Sequence, residues 1–345
     1  MNNRRRGDAP LLVLSQDYEL FFGVSGTPGK CLFEPCDALL AFASANDSRI
    51  TFYVDAGMLL AMRRYESGSN HVRRQRDDIR NHINSLARAG HEIGLHVHPH
   101  WEDTRWADDG WDFSATRYQL REFSDAEIAE IMRSYTHELA ELAEGAIASY
   151  RAGGFCVEPF ERIGGALKDQ GISIDSSVVP GAKLKDAAKG FDFSDAPGLS
   201  WWHFSGSPAV SDSDGEFCEV AITPLVLPVH HYWGRLFSRL GGKPSAASAG
   251  DGVSKAIGKR EIIRRLLGAG RISELSIDAA KAHHLVTHKV LSQPRNAWQI
   301  MGHPKLLGQR SLTYLAQFME HFQIRSSMTV SEFARLARDL PREAA

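Results

Sequence analysis

The sequence has few cysteines and no excess of charge of either sign. Its 345 residues include four cysteines, at positions 31, 36, 156 and 218, which is too few and too scattered for a disulfide framework. Cys31 and Cys36 have no second cysteine pair with which to complete a zinc site. The 40 lysines and arginines nearly balance the 42 aspartates and glutamates, so we expect no nucleic-acid partner.

The sequence also lacks long hydrophobic runs. No segment approaches the roughly 20 apolar residues of a membrane span. The basic start of the chain, Arg4–Arg6, is followed only by the short apolar run Leu11–Leu14, which is too short for the core of a signal peptide. These absences predict a cytoplasmic protein without a membrane span.

Short β-rich segments alternate with helical patterns along most of the chain. Ile79, Ile83 and Leu86 recur at helical spacing before Gly90, and Ser124 with Glu127 forms a capping box at the start of a second helix. Seven segments have the character of strands: Leu11–Leu14, Ile50–Val54, Glu92–Val97, Ser149–Ala152, Ile172–Ser177, Glu219–Thr223 and Trp298–Met301.

This alternation predicts an α/β fold with a parallel sheet and helical crossovers. About seven strands favour closure into a barrel, whose functional residues are expected at the carboxyl ends of the strands. We expect one domain over residues 1–345, with an insertion at 228–294. The low-complexity segment 241–252 within that insertion is predicted to be a flexible loop.

Three histidines stand at alternate positions where the third predicted strand ends. Alternate residues of a strand point to one face, and histidine is a common metal ligand. His96 and His98, or His96 and His100, could therefore bind one ion.

Other polar residues follow other predicted strands. Asp17 and Glu19 end the first strand two positions apart, so one carboxylate could bind a metal while the other moves protons. Arg151 lies at the end of the fourth strand, and His303 follows the last. Polar side chains at four strand ends are hard to explain by packing alone.

The segment 101–123 interrupts the alternation and contains Trp101, Trp106 and Trp111. Tryptophan faces stack on sugars or bases, which favours a substrate-binding surface, but the same residues could form a packed lid.

Four of these segments resemble the motifs of the NodB-homology polysaccharide deacetylases, carbohydrate esterase family four, and in particular its divergent WalW-like branch. Residues 15–19 resemble the first motif, and Gly90–Gly94 with His96 and His100 resembles the second. Arg151 takes the place of the third motif's arginine, and residues 302–304 resemble the last motif. The resemblance extends from Leu11 to about Arg338.

The resemblance implies a distorted (β/α)7 barrel and a metal-dependent sugar N-deacetylase. Its substrate would be an N-acetylated saccharide of a bacterial surface polysaccharide, or a precursor of that glycan. The resemblance further implies one divalent metal ion, zinc or a similar ion, bound by Glu19, His96 and His100, with His98 as the alternative ligand.

By the same resemblance Asp17 is the base, Arg151 steadies it, and His303 donates a proton. Three departures from the family pattern concern the first, third and fourth motifs. The first motif's usual Asp-Asp pair is Asp17-Tyr18 here, so the metal carboxylate is Glu19 or Asp17 itself. Gly153-Gly154 replaces the third motif's Pro-aromatic pair, with Gly154 as a candidate backbone contact to substrate, and the fourth motif has only Asp175 and Trp201-Trp202 as loose candidates.

Two alternatives remain open from the sequence. One is hydrolysis of another linear or cyclic amide C–N bond on the same barrel. The other is a non-catalytic carbohydrate-binding protein that uses the tryptophan segment. Metal content together with acetate release would separate these possibilities.

Overall fold

A computed structural model describes residues 9–108, 110–113, 116–186, 189–233, 248–254 and 270–337. Its main sheet contains eight strands. In chain order these are β1 (Leu11–Tyr18), β2 (Thr51–Asp55), β3 (Glu92–Val97), β6 (Ser149–Ala152), β7 (Ile174–Asp175), β10 (Trp201–Phe204), β11 (Phe217–Val220) and β14 (Ala297–Gly302). Three two-stranded antiparallel sheets are formed by β4 (Arg105–Ala107) with β5 (Gly110–Asp112), β8 (Lys183–Leu184) with β9 (Phe191–Asp192), and β12 (Pro224–Leu227) with β13 (Arg271–Glu274).

The strand order of the main sheet is β10-β11-β7-β6-β3-β2-β1-β14. β10 is antiparallel to β11, and every other neighbouring pair is parallel. Of the eight strands, seven are therefore parallel, and each of the seven predicted strand segments overlaps one of them.

Backbone hydrogen bonds outside the regular strand pairs close this sheet into a barrel. The Thr223 N–H, just beyond β11, donates to the Gln299 carbonyl of β14 at 3.1 Å. The Leu275 N–H donates to the Thr223 carbonyl at 2.8 Å, and the Met301 N–H donates to the Leu275 carbonyl at 3.2 Å. The predicted distorted (β/α)7 barrel is confirmed.

Helices cover the outside of the barrel. As the sequence predicts, the Ser124 side chain accepts a hydrogen bond from the Glu127 N–H, and the Glu127 side chain accepts one from the Ser124 N–H. Gly90 follows another helix with a φ of +85°, a conformation that favours glycine. The described α-helices are α1 (Glu34–Ala45), α2 (Ala56–Tyr65), α3 (Asn70–Arg88), α4 (Asp125–Ala143), α5 (Glu161–Asp169), α6 (His288–Leu291), α7 (Ser311–His321) and α8 (Val330–Ala337).

Helix α8 covers the amino ends of the barrel strands. The Val330 N–H donates to Thr51 Oγ1 at the start of β2 at 2.8 Å. Val330 and Phe333 share a buried cluster with Val13 and Tyr53 from the strands. Because α8 covers the amino ends, the side chains at the carboxyl ends of the strands remain available to a ligand.

The predicted insertion is described only in part. Residues 241–247 of the predicted flexible loop lie outside the described residues. Farther along, Ser248 forms a bridge with Gly308, and Val253 forms one with Val24. The domain boundaries and the flexible loop stay predictions. Among the described helices, none is long and apolar enough to cross a membrane.

Candidate active site

Five of the predicted site residues meet at the carboxyl ends of the barrel strands. Asp17 is on β1 and Glu19 follows it, His96 is on β3, Arg151 is on β6, and His303 follows β14. The side chains of the first four are almost completely buried. Parallel strands end at one rim of the barrel, which explains why residues so distant in sequence lie together.

Asp17 is held by the guanidinium of Arg151. Arg151 Nη1 donates to Asp17 Oδ1 at 2.6 Å, while Nε donates to the Ser176 carbonyl at 2.8 Å. Burial disfavours the charged carboxylate, but Arg151, together with His96 and His303, outweighs burial and lowers the pKa of Asp17. Asp17 is therefore ionised at neutral pH, and Oδ2 lies 3.8 Å from His96 Nε2.

Glu19, His96 and His98 each offer one ligand atom, and these atoms all lie within 4.8 Å of one another. Glu19 Oε2 is 2.7 Å from His98 Nε2 and 3.5 Å from His96 Nε2. His96 Nδ1 is 2.9 Å from the Arg151 carbonyl. A carbonyl only accepts, so Nδ1 carries the hydrogen and Nε2 can present a lone pair toward Glu19.

These three residues fit a divalent transition metal ion. Glu19 Oε2 is buried and faces two imidazole nitrogens, His98 Nε2 at 2.7 Å and His96 Nε2 at 3.5 Å. A buried carboxylate that faces two imidazole nitrogens is a donor set that one ion can satisfy. Carboxylate and imidazole donors together suit zinc and similar ions.

His100 lies outside this group and in an aromatic environment. Its ring stacks on Tyr118 with 5.8 Å between ring centroids and 18° between planes, and it also contacts Phe22 and Phe113. The geometry favours His98, the alternative ligand from the sequence, over His100. The ligand set stays a prediction.

His303 is paired with an acidic residue that the sequence analysis missed. His303 Nδ1 is 3.1 Å from Asp278 Oδ2, and the His303 N–H donates to Asp278 Oδ1 at 2.9 Å. Burial lowers the pKa of His303, but Asp278 outweighs burial, with help from Asp17 and Glu19, and raises it to about 9. The ring is then protonated at neutral pH, with Nε2 3.7 Å from Asp17 Oδ2. Asp278 lies in the insertion, where no motif marks it.

A buried lysine that the sequence analysis also missed enters the site. Lys305 Nζ donates to Glu19 Oε1 at 2.8 Å and to the Leu20 carbonyl at 2.7 Å. Burial raises the pKa of Glu19, but Lys305, with help from His98 and His96, outweighs burial and brings it well below its usual range. The only signal in the sequence was its position, two residues beyond His303.

The site opens into a cavity of about 430 Å³. Its described lining combines the polar residues above with the aromatic side chains Phe21, Phe22, Phe113, Tyr118 and Phe155 and the charged residues Asp186, Lys189 and Glu274.

The three predicted tryptophans are not among the described residues that line this cavity. Trp101 is fully buried, and its Nε1 donates to Asp55 Oδ2 at 2.5 Å. Trp111 packs edge-on against Trp101 and Trp106, with ring centroids 5.4 and 5.0 Å apart. The geometry gives these tryptophans a packing role, and their substrate-binding role stays an untested prediction.

The glycine pair at the third motif makes room for neighbouring rings. A Cβ at Gly153 would lie 2.5 Å from His98 Nδ1. Gly154 has a φ of +59°, and a Cβ there would lie 2.9 Å from the Tyr118 hydroxyl. Gly154 does line the cavity, as its predicted substrate contact requires. The loose fourth-motif candidates, Asp175 and Trp201-Trp202, are not among the described lining residues.

No family model and no curated protein matches the chain. Several solved structures resemble it. A Mycobacterium smegmatis protein named provisionally as a polysaccharide deacetylase is 14% identical, with a TM-score of 0.47 and coverage of 99% of this chain and 96% of that one. An allantoinase is also 14% identical, with a TM-score of 0.47 over 97% of this chain and 92% of its own. A peptidoglycan N-acetylglucosamine deacetylase is 10% identical, with a TM-score of 0.41 over 94% of this chain and 88% of its own.

Proposed function

We propose that this protein is a metal-dependent hydrolase that removes the acetyl group from an N-acetylated sugar, as the resemblance to carbohydrate esterase family four implies. One observation carries the proposal. The ionised Asp17 has Oδ2 at 3.8 Å from His96 Nε2 and at 3.7 Å from His303 Nε2. The candidate base, Asp17, therefore lies close to both a candidate metal ligand, His96, and the candidate acid, His303.

Glu19, His96 and His98 would hold the ion, with His100 as the alternative ligand. Such an ion, when bound, polarises the acetyl carbonyl and makes a coordinated water more acidic. A three-ligand site leaves the open position that such chemistry requires.

The chain's own groups would supply the proton transfers. Asp17 Oδ2 accepts a proton from the attacking water, whose oxygen bonds to the acetyl carbon. Arg151 keeps Asp17 ionised and aimed by its 2.6 Å hydrogen bond to Oδ1. His303, protonated through its pairing with Asp278, donates its Nε2 proton to the leaving nitrogen as the C–N bond breaks. The products are acetate and a free amine.

The cavity supports a substrate of sugar size. Its volume of about 430 Å³ is that of a small-ligand site. Aromatic side chains such as Phe22, Phe113 and Tyr118 suit the apolar faces of sugar rings. The WalW-like branch, a polysaccharide precursor as substrate and zinc as the ion rest on the sequence resemblance.

Acetate release by the full-length protein tests the activity. The substrates are N-acetylglucosamine, N-acetylgalactosamine, their oligomers and their nucleotide-linked forms, each with one equivalent of Zn²⁺. Asp17→Asn keeps the side-chain shape but cannot accept the proton, so turnover should fall by roughly 100- to 10,000-fold while the ion is retained. Asp186→Asn, which alters another acidic residue of the cavity lining, is the matched control.

Equal rates for Asp17→Asn and the wild type would remove Asp17 as the base. Ring opening of cyclic amides, or release of an amine or ammonia from linear amides, without acetate from any sugar, would favour the alternative amide hydrolase. Sugar binding without any turnover would favour a carbohydrate-binding protein.

Two histidine variants test the ligand set. His98→Ala should lose the ion because only Glu19 and His96 remain of the three protein ligands. His100→Ala should retain the ion, measured by metal analysis after gel filtration. The opposite result would assign the third position to His100.

A further inference from the structure

A second group of histidines lies outside the cavity. His231 follows β12, and His283 and His284 lie on a 3₁₀ helix, Ala282–Val286. One ligand atom from each of the three lies within 4.8 Å of the other two. None of the three is among the described residues that line the catalytic cavity.

The spacing of these rings matches metal coordination. His284 Nε2 lies 3.2 Å from His231 Nδ1. Two nitrogens bound to one tetrahedral zinc at about 2.0–2.1 Å are separated by roughly 3.3 Å. A hydrogen bond would explain that pair alone, but His283 also joins the group, with its ring centroid 4.0 Å from that of His284.

The surroundings suit a bound ion as well. His231 is 9% exposed, whereas His283 is exposed, so an ion could enter from solvent and retain a water as its fourth ligand. The neutral form of imidazole, which an ordinary histidine populates near pH 7, is the form that binds metals.

We propose that His231, His283 and His284 bind a second divalent transition metal ion, of the Zn²⁺ or Ni²⁺ class, at a site separate from the catalytic cavity. Imidazole ligands favour these ions over Mg²⁺ or Ca²⁺.

The ion would act as a clamp within the insertion. His231 and His284 are 53 positions apart in the chain, and the 3₁₀ helix that carries His284 contacts α7. Coordination would link the end of β12 to the 3₁₀ helix. The ion should therefore stabilise the folded protein without being needed for catalysis.

The test uses full-length protein without a histidine tag, stripped with a chelator and titrated with Zn²⁺ against a chromophoric chelator. The background is the double variant Glu19→Gln, His98→Ala, which lacks two ligands of the catalytic candidate site. This protein should still bind one Zn²⁺ per chain. Adding His284→Gln should weaken that binding by more than the 10- to 100-fold that an outer-shell partner is worth.

His288→Gln is the matched control because His288 is an exposed histidine on the neighbouring helix α6. It should leave both Zn²⁺ affinity and the Zn²⁺-dependent rise in the thermal unfolding midpoint unchanged, whereas His284→Gln should abolish that rise. Binding of no ion by the double variant, or equal affinity in the His284→Gln and His288→Gln backgrounds, would overturn the proposal.

The result is independent of the proposed function. Suppose that the wild-type protein binds one ion. If His284→Gln loses this ion and Glu19→Gln keeps it, the result supports the second site and contradicts the catalytic metal. If Glu19→Gln loses the ion and His284→Gln keeps it, the result supports the catalytic metal and contradicts the second site.

Discussion

At the scale of single residues, two charged groups from outside the sequence motifs complete the site. Asp278 pairs with the His303 ring and keeps it protonated, and Lys305 donates a hydrogen bond to one carboxylate oxygen of Glu19. Both act through a neighbour, so their variants should change a property of that neighbour.

Asp278→Asn should move the alkaline limb of the activity profile to lower pH. His303 must be protonated to donate, so activity is present below its pKa of about 9 and is lost as pH rises through it. Asparagine can still accept the His303 N–H but removes the negative charge that raises this pKa. The measurement is kcat/KM as a function of pH, which reports the free enzyme. An unchanged alkaline limb would show that another group sets it.

Lys305→Met should bind the catalytic ion more tightly, by about tenfold or more. An ammonium beside a ligand carboxylate repels a divalent ion, and two unit charges at 4 Å interact by about 4 kcal/mol at an effective dielectric of 20. Competition with a chelator gives the affinity. Lys189→Met, a cavity lysine without a described contact to Glu19, should leave affinity nearly unchanged. Weaker binding in Lys305→Met would instead make the lysine a positioning group for Glu19.

At the scale of elements, β7 and β11 place two carboxyl groups side by side in the barrel. Asp175 and Glu219 are register partners, and both are buried. Asp175 Oδ2 and Glu219 Oε2 receive no hydrogen bond from a donor among the described residues. Burial and then the charge of Asp175 raise the pKa of Glu219 well above its usual range. The pair is therefore expected to share one proton.

Glu219→Gln should make stability less dependent on pH. A carboxyl group with a raised pKa in the folded state stabilises the protein at low pH. That contribution is lost as pH rises above the unfolded value of about 4.5 toward the folded one. The wild type should therefore lose stability between weakly acidic and alkaline pH, and the glutamine variant should lose less.

Urea unfolding midpoints at several pH values measure this difference. Glu130→Gln, on the exposed face of α4, should keep the wild-type slope. An identical slope in Glu219→Gln would show that Glu219 ionises normally.

At the scale of the whole molecule, α8 packs at the end of the barrel opposite the candidate site, so it contributes to stability and not to the chemistry. It seals the amino end of the barrel, and the candidate site lies at the carboxyl end. Phe333 is 1% exposed within the cluster that joins α8 to the strands.

Phe333→Ala should lower the free energy of unfolding by about 3–5 kcal/mol, because a buried aromatic ring is replaced by a cavity. In the protein that remains folded, metal affinity and kcat should stay near the wild-type values. Leu336→Ala, which alters a residue of the same helix that is 39% exposed, should cost far less. Loss of the ion in folded Phe333→Ala would show that the two ends of the barrel are coupled.

Local patterns in the sequence determined the elements and the rim of the barrel. Most strand segments are rich in apolar and β-branched residues, which predicts a buried strand, and the Ser124–Glu127 box is a short-range signal that needs no tertiary contact. The carboxyl ends of parallel strands meet at one rim, so the order of strands along the chain is enough to predict that Asp17, Arg151 and His303 lie together.

Only the tertiary structure decided which groups complete the site. The chain leaves strand geometry after His98 and enters the 3₁₀ helix Pro99–Glu102, so the alternation that relates His96 to His98 does not extend to His100. Lys305 meets Glu19 across 286 positions of sequence, and Asp278 meets His303 across 25. Neither pairing has a periodic or local signature, because each depends on how the closed barrel and its insertion bring distant backbone together.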